Sequence, residues 1–284
     1  MIKDLLKRKG LGKKVATQSV LTVVTLGMSI LWLMPFLWML GTSMRREVDS
    51  FNLPPAFWPE SWNIVNYEKV LTTIPFFKFM LNSIIMAGCA TLFMVVFTTM
   101  AAYAISRIDF KFKNAVFVIL ISGMMIPTSS TLVPVFSTIR NMGLMDTRWA
   151  VILLGIYYPI GLLLLRSHMM TIPKSYDEAA CIDGANRLQI FFKIILPMSR
   201  PTIAVATVLC FITNWNNFLV PLIFLSDKNK YPLPLGMQFL KSTWAIDQTV
   251  MLSAVIMSII PLLIVYIFCQ KYLLQGAITS GLKA

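Results

Sequence analysis

Six stretches of this chain, at 15–40, 80–105, 115–136, 149–165, 202–225 and 250–272, are apolar over lengths near the ~20 residues that a helix needs to cross a bilayer. None of the 12 Asp and Glu residues falls inside them. Each reads as a membrane helix, and the fold class is an all-α membrane protein with six transmembrane helices. Composition agrees. Hydrophobic residues make up 57% of the 284 and charged residues only 13%, too few to cover a soluble fold of this length. Aromatics at 12% exclude a disordered chain. The net charge of +13 forms no basic stripe on a soluble domain, so membrane lipid is the expected partner and nucleic acid is not. Cys89, Cys181, Cys210 and Cys269 are scattered without metal or redox spacing, and read as free thiols with no metal site.

An even number of spans puts both termini on one side, and the Lys/Arg bias tells which. Sixteen of the 25 basic residues flank the spans on the N-terminal side and nine lie on the other, so both termini are expected in the cytoplasm. The basic leader at 1–14 and the long apolar run after it read as a retained signal anchor rather than a cleaved peptide. The chain then divides into the segment 1–14, a first helix at 15–40, an outer loop at 41–79 braced by Pro54, Pro55 and Pro59, a core at 80–272 and a tail at 273–284.

Acid-free spans argue against a proton- or sodium-coupled carrier, which commonly keeps a carboxylate in the membrane. The absence of a G-x-x-x-x-G-K-[ST] phosphate loop leaves this chain without its own engine. Polar groups do occur in the spans, at Asn82, Asn214, Asn216 and Asn217. Two readings stay open. They make interhelical hydrogen bonds, or they line a route for a polyhydroxylated solute, with Trp215, Tyr157 and Tyr158 offering flat faces. Prolines in or near the spans, among them Pro127, Pro134, Pro159, Pro221 and Pro261, suggest kinked helices around a cavity.

The segment 172–197, before the fifth span, reads as two short helices. Pro173 and Ser175 suit a start, with Asp177 and Glu178 in the positive first turn. Gly184 permits a positive φ and makes the turn. Leu188, Phe191, Phe192 and Ile195 then form an apolar stripe, and Pro197 ends the second helix. Here the residues resemble something specific. Glu178-Ala179-Ala180, Gly184, Ile194 and Leu196-Pro197 match E-A-A-x3-G-x9-I-x-L-P, the EAA motif of binding-protein-dependent ABC importer permeases. The likeness extends to the carbohydrate-uptake class, in particular the smaller permease subunit of maltose-type importers. It is carried by P-P-A-F-W-P at 54–59, W-x-x-x-N-Y from Trp62 to Tyr67, M-I-P at 125–127, and N-W-N-N-F-L-V-P-L at 214–222. The tail from Gln275 to Lys283 matches more loosely.

The resemblance implies the type I ABC importer transmembrane domain, with spans two to six as its core. It implies a permease subunit with no chemistry of its own, in the membrane of a bacterial cell. It implies as partners a second permease, an ATPase dimer that holds ATP and Mg, an extracellular solute-binding protein, and a sugar or oligosaccharide as cargo. Glycerol phosphate is an alternative cargo for the same machine. The coupling set carried over is Asp177, Glu178, Ala179, Ala180, Asp183, Gly184, Ala185, Asn186, Ile194, Leu196 and Pro197. The pathway set is Asn82, Tyr157, Tyr158, Asn214, Trp215, Asn216 and Asn217.

Overall fold

The computed structural model describes residues 2–46, 58, 59, 62–240 and 248–281, and their side chains except at 2–17, 128, 129 and 273–281. The prolines expected to brace the outer loop at 54 and 55, and the tail end at 282–284, lie outside the described residues. Among the described residues all regular structure is helical, in two compact units: Met1–Val70 with Trp244–Ile256, and Leu71–Thr243 with Met257–Ala284.

In the first unit, α1 (Ile2–Ser43) runs unbroken through the basic leader and the first span. Its 42 residues rise about 63 Å, roughly twice the hydrocarbon thickness. The part apolar enough to cross is Gln18–Ser43. Inside it, Thr22, Thr25 and Ser29 donate their hydroxyls to the carbonyls four residues back, which hides them from lipid. The helix ends in a polar knot. The buried Asn66, on α2 (Val65–Thr73), donates to the carbonyls of Ser43 and Arg45 at 2.8 and 2.7 Å, and Ser253 donates to Ser43 O at 3.1 Å. These bonds satisfy carbonyls that a helix end leaves without partners.

The second unit is built on α3 (Phe76–Arg107), which packs along α6 (Arg148–Ile156), α7 (Pro159–Thr171) and α11 (Arg200–Trp215). Ala87, Ala90 and Ala102 are buried on α3, and small residues there let the backbones approach. The span expected at 80–105 is this helix.

Three expected spans are not single helices. The third, expected at 115–136, consists of α4 (Lys113–Ser122), a 3-10 turn at Gly123–Met125 and α5 (Thr128–Asn141), with a bend of 110° at the break. The fifth, expected at 202–225, stops at Trp215 and resumes as α12 (Leu219–Phe224). The fourth also pauses, at Tyr157 and Tyr158 between α6 and α7. In each case a proline follows the break. Pro127 directly precedes α5, Pro159 opens α7 and Pro221 lies in the first turn of α12. Proline has no amide hydrogen to give and its ring crowds the carbonyl four residues back, so it suits a helix start, although Pro35, Pro134 and Pro261 lie inside α1, α5 and α14.

Between α7 and α11 lie α8 (Ser175–Ile182), α9 (Arg187–Ile190), a π turn at Phe191–Ile195 and α10 (Leu196–Met198). Pro197 does not end this segment as expected. The wide turn, closed by Leu196 N–H on Phe191 O, accommodates it, and the chain instead bends by 76° between Met198 and Arg200. His168 meets Met198 O there at 3.3 Å. The expected apolar stripe is split by the same turn. Phe191 and Ile195 are buried, whereas Leu188 and Phe192 are exposed.

After α12 the chain passes a 3-10 turn at Lys228–Lys230, α13 (Leu233–Gly236) and a second turn at Met237–Leu240, before α14 (Gln248–Gly281) ends the fold. The 226–231 segment is pinned from two sides. Asn82, buried on α3, donates to the carbonyls of Asn229 and Tyr231 at 2.9 and 3.0 Å. Asp146, in the left-handed region at φ 54°, accepts the amides of Ser226 and Asp227 at 3.0 Å each and the Lys230 ammonium at 2.8 Å. The Asp227 amide, then Lys230 and the Ser226 amide, hold the Asp146 carboxyl at about 2, below its ordinary 3.8. A lowered acid of this kind anchors fully above about pH 4, and the anchor is lost only as pH falls through about 2.

Two outcomes follow from this packing. A Cβ on Gly155 would overlap Asn214 Oδ1 and come within 2.9 Å of the Ala90 side chain. Gly155→Val should therefore destabilise by about 1–3 kcal/mol, read as a lower melting temperature of the detergent-solubilised protein, while a surface control such as Gly143→Asn should not. Asp146→Asn should speed hydrogen exchange at the Ser226 and Asp227 amides at least tenfold at neutral pH. Wild type should keep its protection down to about pH 4.

Candidate functional site

The three helix breaks meet. Gly123 and Ile126 from the third span, Tyr157 from the fourth and Asn217 from the fifth line one cavity of about 470 Å³, together with Thr131 and Phe224. Irregular backbone at membrane depth is tolerated where it faces protein or a water-filled space rather than lipid. The geometry at each break is local. Asn217 Oδ1 accepts Val220 N–H at 3.2 Å, which starts α12. Tyr157 Oη donates to Leu120 O at 2.7 Å, bridging the fourth span to α4. Its ring end fills the space where Gly123 has no side chain. The wall is mainly apolar, with a few polar groups, as solute pockets commonly are.

The pathway set divides on inspection. Tyr157 and Asn217 line the cavity. Tyr158 lines a second space of about 290 Å³ with Phe97, Thr98 and Leu120, which Tyr157 also borders. Asn216 is exposed at the break. The other three are packed. Asn214 donates to Gly155 O at 3.2 Å and to Cys210 O at 3.1 Å, the interhelical alternative. Trp215 is buried and stacks on Phe211, ring centres 5.6 Å apart. Asn82 uses both ends of its amide, for its oxygen accepts Arg148 Nε and Nη2 at 3.1 and 2.9 Å while its nitrogen holds the 226–231 segment. Asn82, Asn214 and Trp215 therefore do not join the cavity. Gly123, Ile126 and Thr131 do, and the sequence signal that could have found them is the pairing of M-I-P with the glycine three residues before the isoleucine.

The second cluster is the α8–α9 hairpin. Gly184 has φ +82°, as its spacing requires. Ala185 N–H returns to Ala180 O at 2.9 Å and Gly184 N–H to Cys181 O at 3.1 Å, closing α8 with a left-handed cap. Asn186 and Gln189 then cap α9 reciprocally, at 2.9 and 2.8 Å. Of the coupling set, Glu178, Ala179, Asp183 and Gly184 are exposed, and Ile194, Leu196 and Pro197 are half-buried. Four members have work inside the chain. Ala180 is buried in the core formed with Met169, Ile190 and Phe191, and Ala185 packs at its edge. Asn186 is the cap just described. Asp177 pairs with Arg107 Nη1 at 3.0 Å. Arg107, counted in the sequence only as a positive charge flanking a span, is the site residue that pattern-reading missed.

Against known proteins the chain gives consistent answers. Residues 94–278 match the family described as binding-protein-dependent transport system inner membrane component. The chain is 31% identical to the trehalose/maltose transport system permease protein of Thermococcus litoralis, over 95% of this chain and 99% of that protein. It is 30% identical to the diacetylchitobiose uptake system permease protein of Streptomyces coelicolor, over 89% and 84%. Among solved structures, a chain of a bacterial ABC transporter involved in the import of the acidic polysaccharide alginate superposes with a TM-score of 0.75 at 27% identity, covering 90% of this chain and 96% of that one. The helical architecture is thus that of the ABC importer transmembrane domain, with a transport role in the membrane. The chain belongs to the binding-protein-dependent transport system inner membrane components.

Proposed function

We propose that this chain is one permease subunit of an ATP-driven importer of sugars or oligosaccharides. It works with a second permease, an ATPase dimer that binds ATP and Mg, and an extracellular solute-binding protein. The observation that carries the reading is the α8–α9 hairpin, whose inner face is packed and capped while Glu178, Ala179, Ile182 and Asp183 stand exposed. A rigid, outward-facing helix of this kind suits docking into a groove of a partner. Glu178 offers a carboxylate for a basic residue there, and Ala179 lets the partner approach closely. The cargo class is supported by relatives named for trehalose, maltose and diacetylchitobiose transport. The cavity at the three breaks, with Tyr157 and Asn217, is this chain's share of the route.

The topology belongs to the same reading. Among the described residues, four helical spans, or six if each of two bent pairs is one span, make an even number, which supports both termini in the cytoplasm, α8 on that side and the 226–231 segment outside. Asn229→Cys should then react with an impermeant maleimide in intact cells, whereas Cys181 should react only after permeabilisation. The reverse pattern would invert the assignment.

Glu178→Lys and Gly184→Val test the docking. A side chain at Gly184 meets nothing within 4 Å in this chain, so its local cost is the left-handed backbone, about 1–2 kcal/mol. Both variants should accumulate with the partner permease and lose the ATPase on purification. Full ATPase retention together with full uptake of labelled trehalose, maltose or diacetylchitobiose would leave the hairpin as an interfacial element. For the route, Asn217→Leu should lower uptake at least fivefold with the ATPase retained, and Asn82→Leu should act instead through loss of folded protein.

A further inference from the structure

Arg107 is the last residue of α3, and its side chain is only 4% exposed. Nη1 donates to Asp177 Oδ2 on α8 at 3.0 Å. Nη2 donates to the carbonyls of Met169 and Ile172, at the end of α7, at 2.6 Å each. One planar cation therefore joins the ends of two membrane helices to the first turn of α8. A lysine could supply the charge but not the fork that reaches three acceptors at once. One turn earlier, Tyr103 Oη donates to Arg187 O at 3.1 Å, and its ring lies 5.0 Å from that of Phe191. Both arms of the hairpin are thus fastened to α3, α8 by Arg107 and α9 by Tyr103.

The connection from α7 to α8 is short, with Pro173 and Lys174 between Ile172 and Ser175, and the hairpin itself turns at Gly184. Without a cross-tie, a push on α8 would be absorbed by rotation about these two points. With it, the push is passed to α3 and α7. The continuation of α3 packs on α6, and α6 and α7 meet at Tyr157, in the cavity wall.

We infer that Arg107, with Asp177 as its acceptor, is a positioning residue that transmits displacement of α8 to the helices around the cavity. The inference rests on the reading of α8 as the helix that contacts the ATPase.

The test uses the complete importer in nanodiscs, with the four native cysteines replaced by serine and Val135→Cys placed in the cavity wall. The probe is Mg-ATP with vanadate, and the readout is the rate at which a soluble maleimide labels position 135. Trapping should change that rate at least threefold in the parent. Arg107→Ala and Asp177→Ala should keep the ATPase and the trapped vanadate within twofold and lose the change in labelling. Arg107→Lys should not restore it. If Arg107→Ala does not accumulate, Asp177→Ala decides, because alanine favours the helix it sits in. A labelling change that survives in Asp177→Ala overturns the inference. So does a parent without any change, and so does loss of the ATPase in Asp177→Ala, which would mark the pair as structural support only. Glu178→Lys separates the two levels. If it disconnects the ATPase while the labelling change survives in Asp177→Ala, the docking reading stands and only the strut falls. If it keeps both ATPase and switching, the docking reading itself has failed.

Discussion

A missing amide hydrogen organises this molecule. Pro127, Pro159 and Pro221 each disfavour a continuous helix through the middle of an apolar stretch, and there the chain stops and starts again with the proline in or just before the new first turn. A stopped helix exposes backbone polar groups, and each such group left unpaired in hydrocarbon costs several kcal/mol. The three breaks therefore cannot face lipid separately. They are gathered around one shared space, and side chains complete them, Asn217 at one amide and Tyr157 at one carbonyl. The cavity lies where these three stops come together.

The same accounting explains the hairpin. Every local turn is closed from within, by the left-handed cap at Gly184, by the Asn186–Gln189 box and by the wide turn before Pro197. Inward demands are met by Ala180, Phe191 and Ile195 in the core and by Asp177 on Arg107. What is left over points outward. A surface with nothing further to do inside the chain is free to be shaped by a partner.

Legibility followed distance along the chain. The extent of α3, the turn at Gly184 and the helix start near Ser175 could be read from neighbouring residues, because hydropathy, a lone glycine and a proline act within a few positions. The interruptions at 126 and 216–218 were harder, since the stretches around them read as single apolar runs and the prolines were legible only as kinks. Least legible were pairs far apart in sequence. Nothing near Asp177 announces Arg107, 70 residues away, and nothing near Asn82 announces a segment nearly 150 residues on. The asparagines, open to either reading from polarity alone, divided according to whether a distant backbone needed them. Asn82 and Asn214 were needed, and Asn217 was needed only at its own helix start.

The contact between Gly123 and Tyr157 bears on how such a chain can change over time. The phenol occupies the volume that any β-carbon at 123 would claim, and its hydroxyl is committed to Leu120 O. Neither position can be altered freely while the other stays. A larger residue at 123 demands a shorter one at 157, which in turn releases a carbonyl that must find another donor. Drift at these two sites should therefore be correlated.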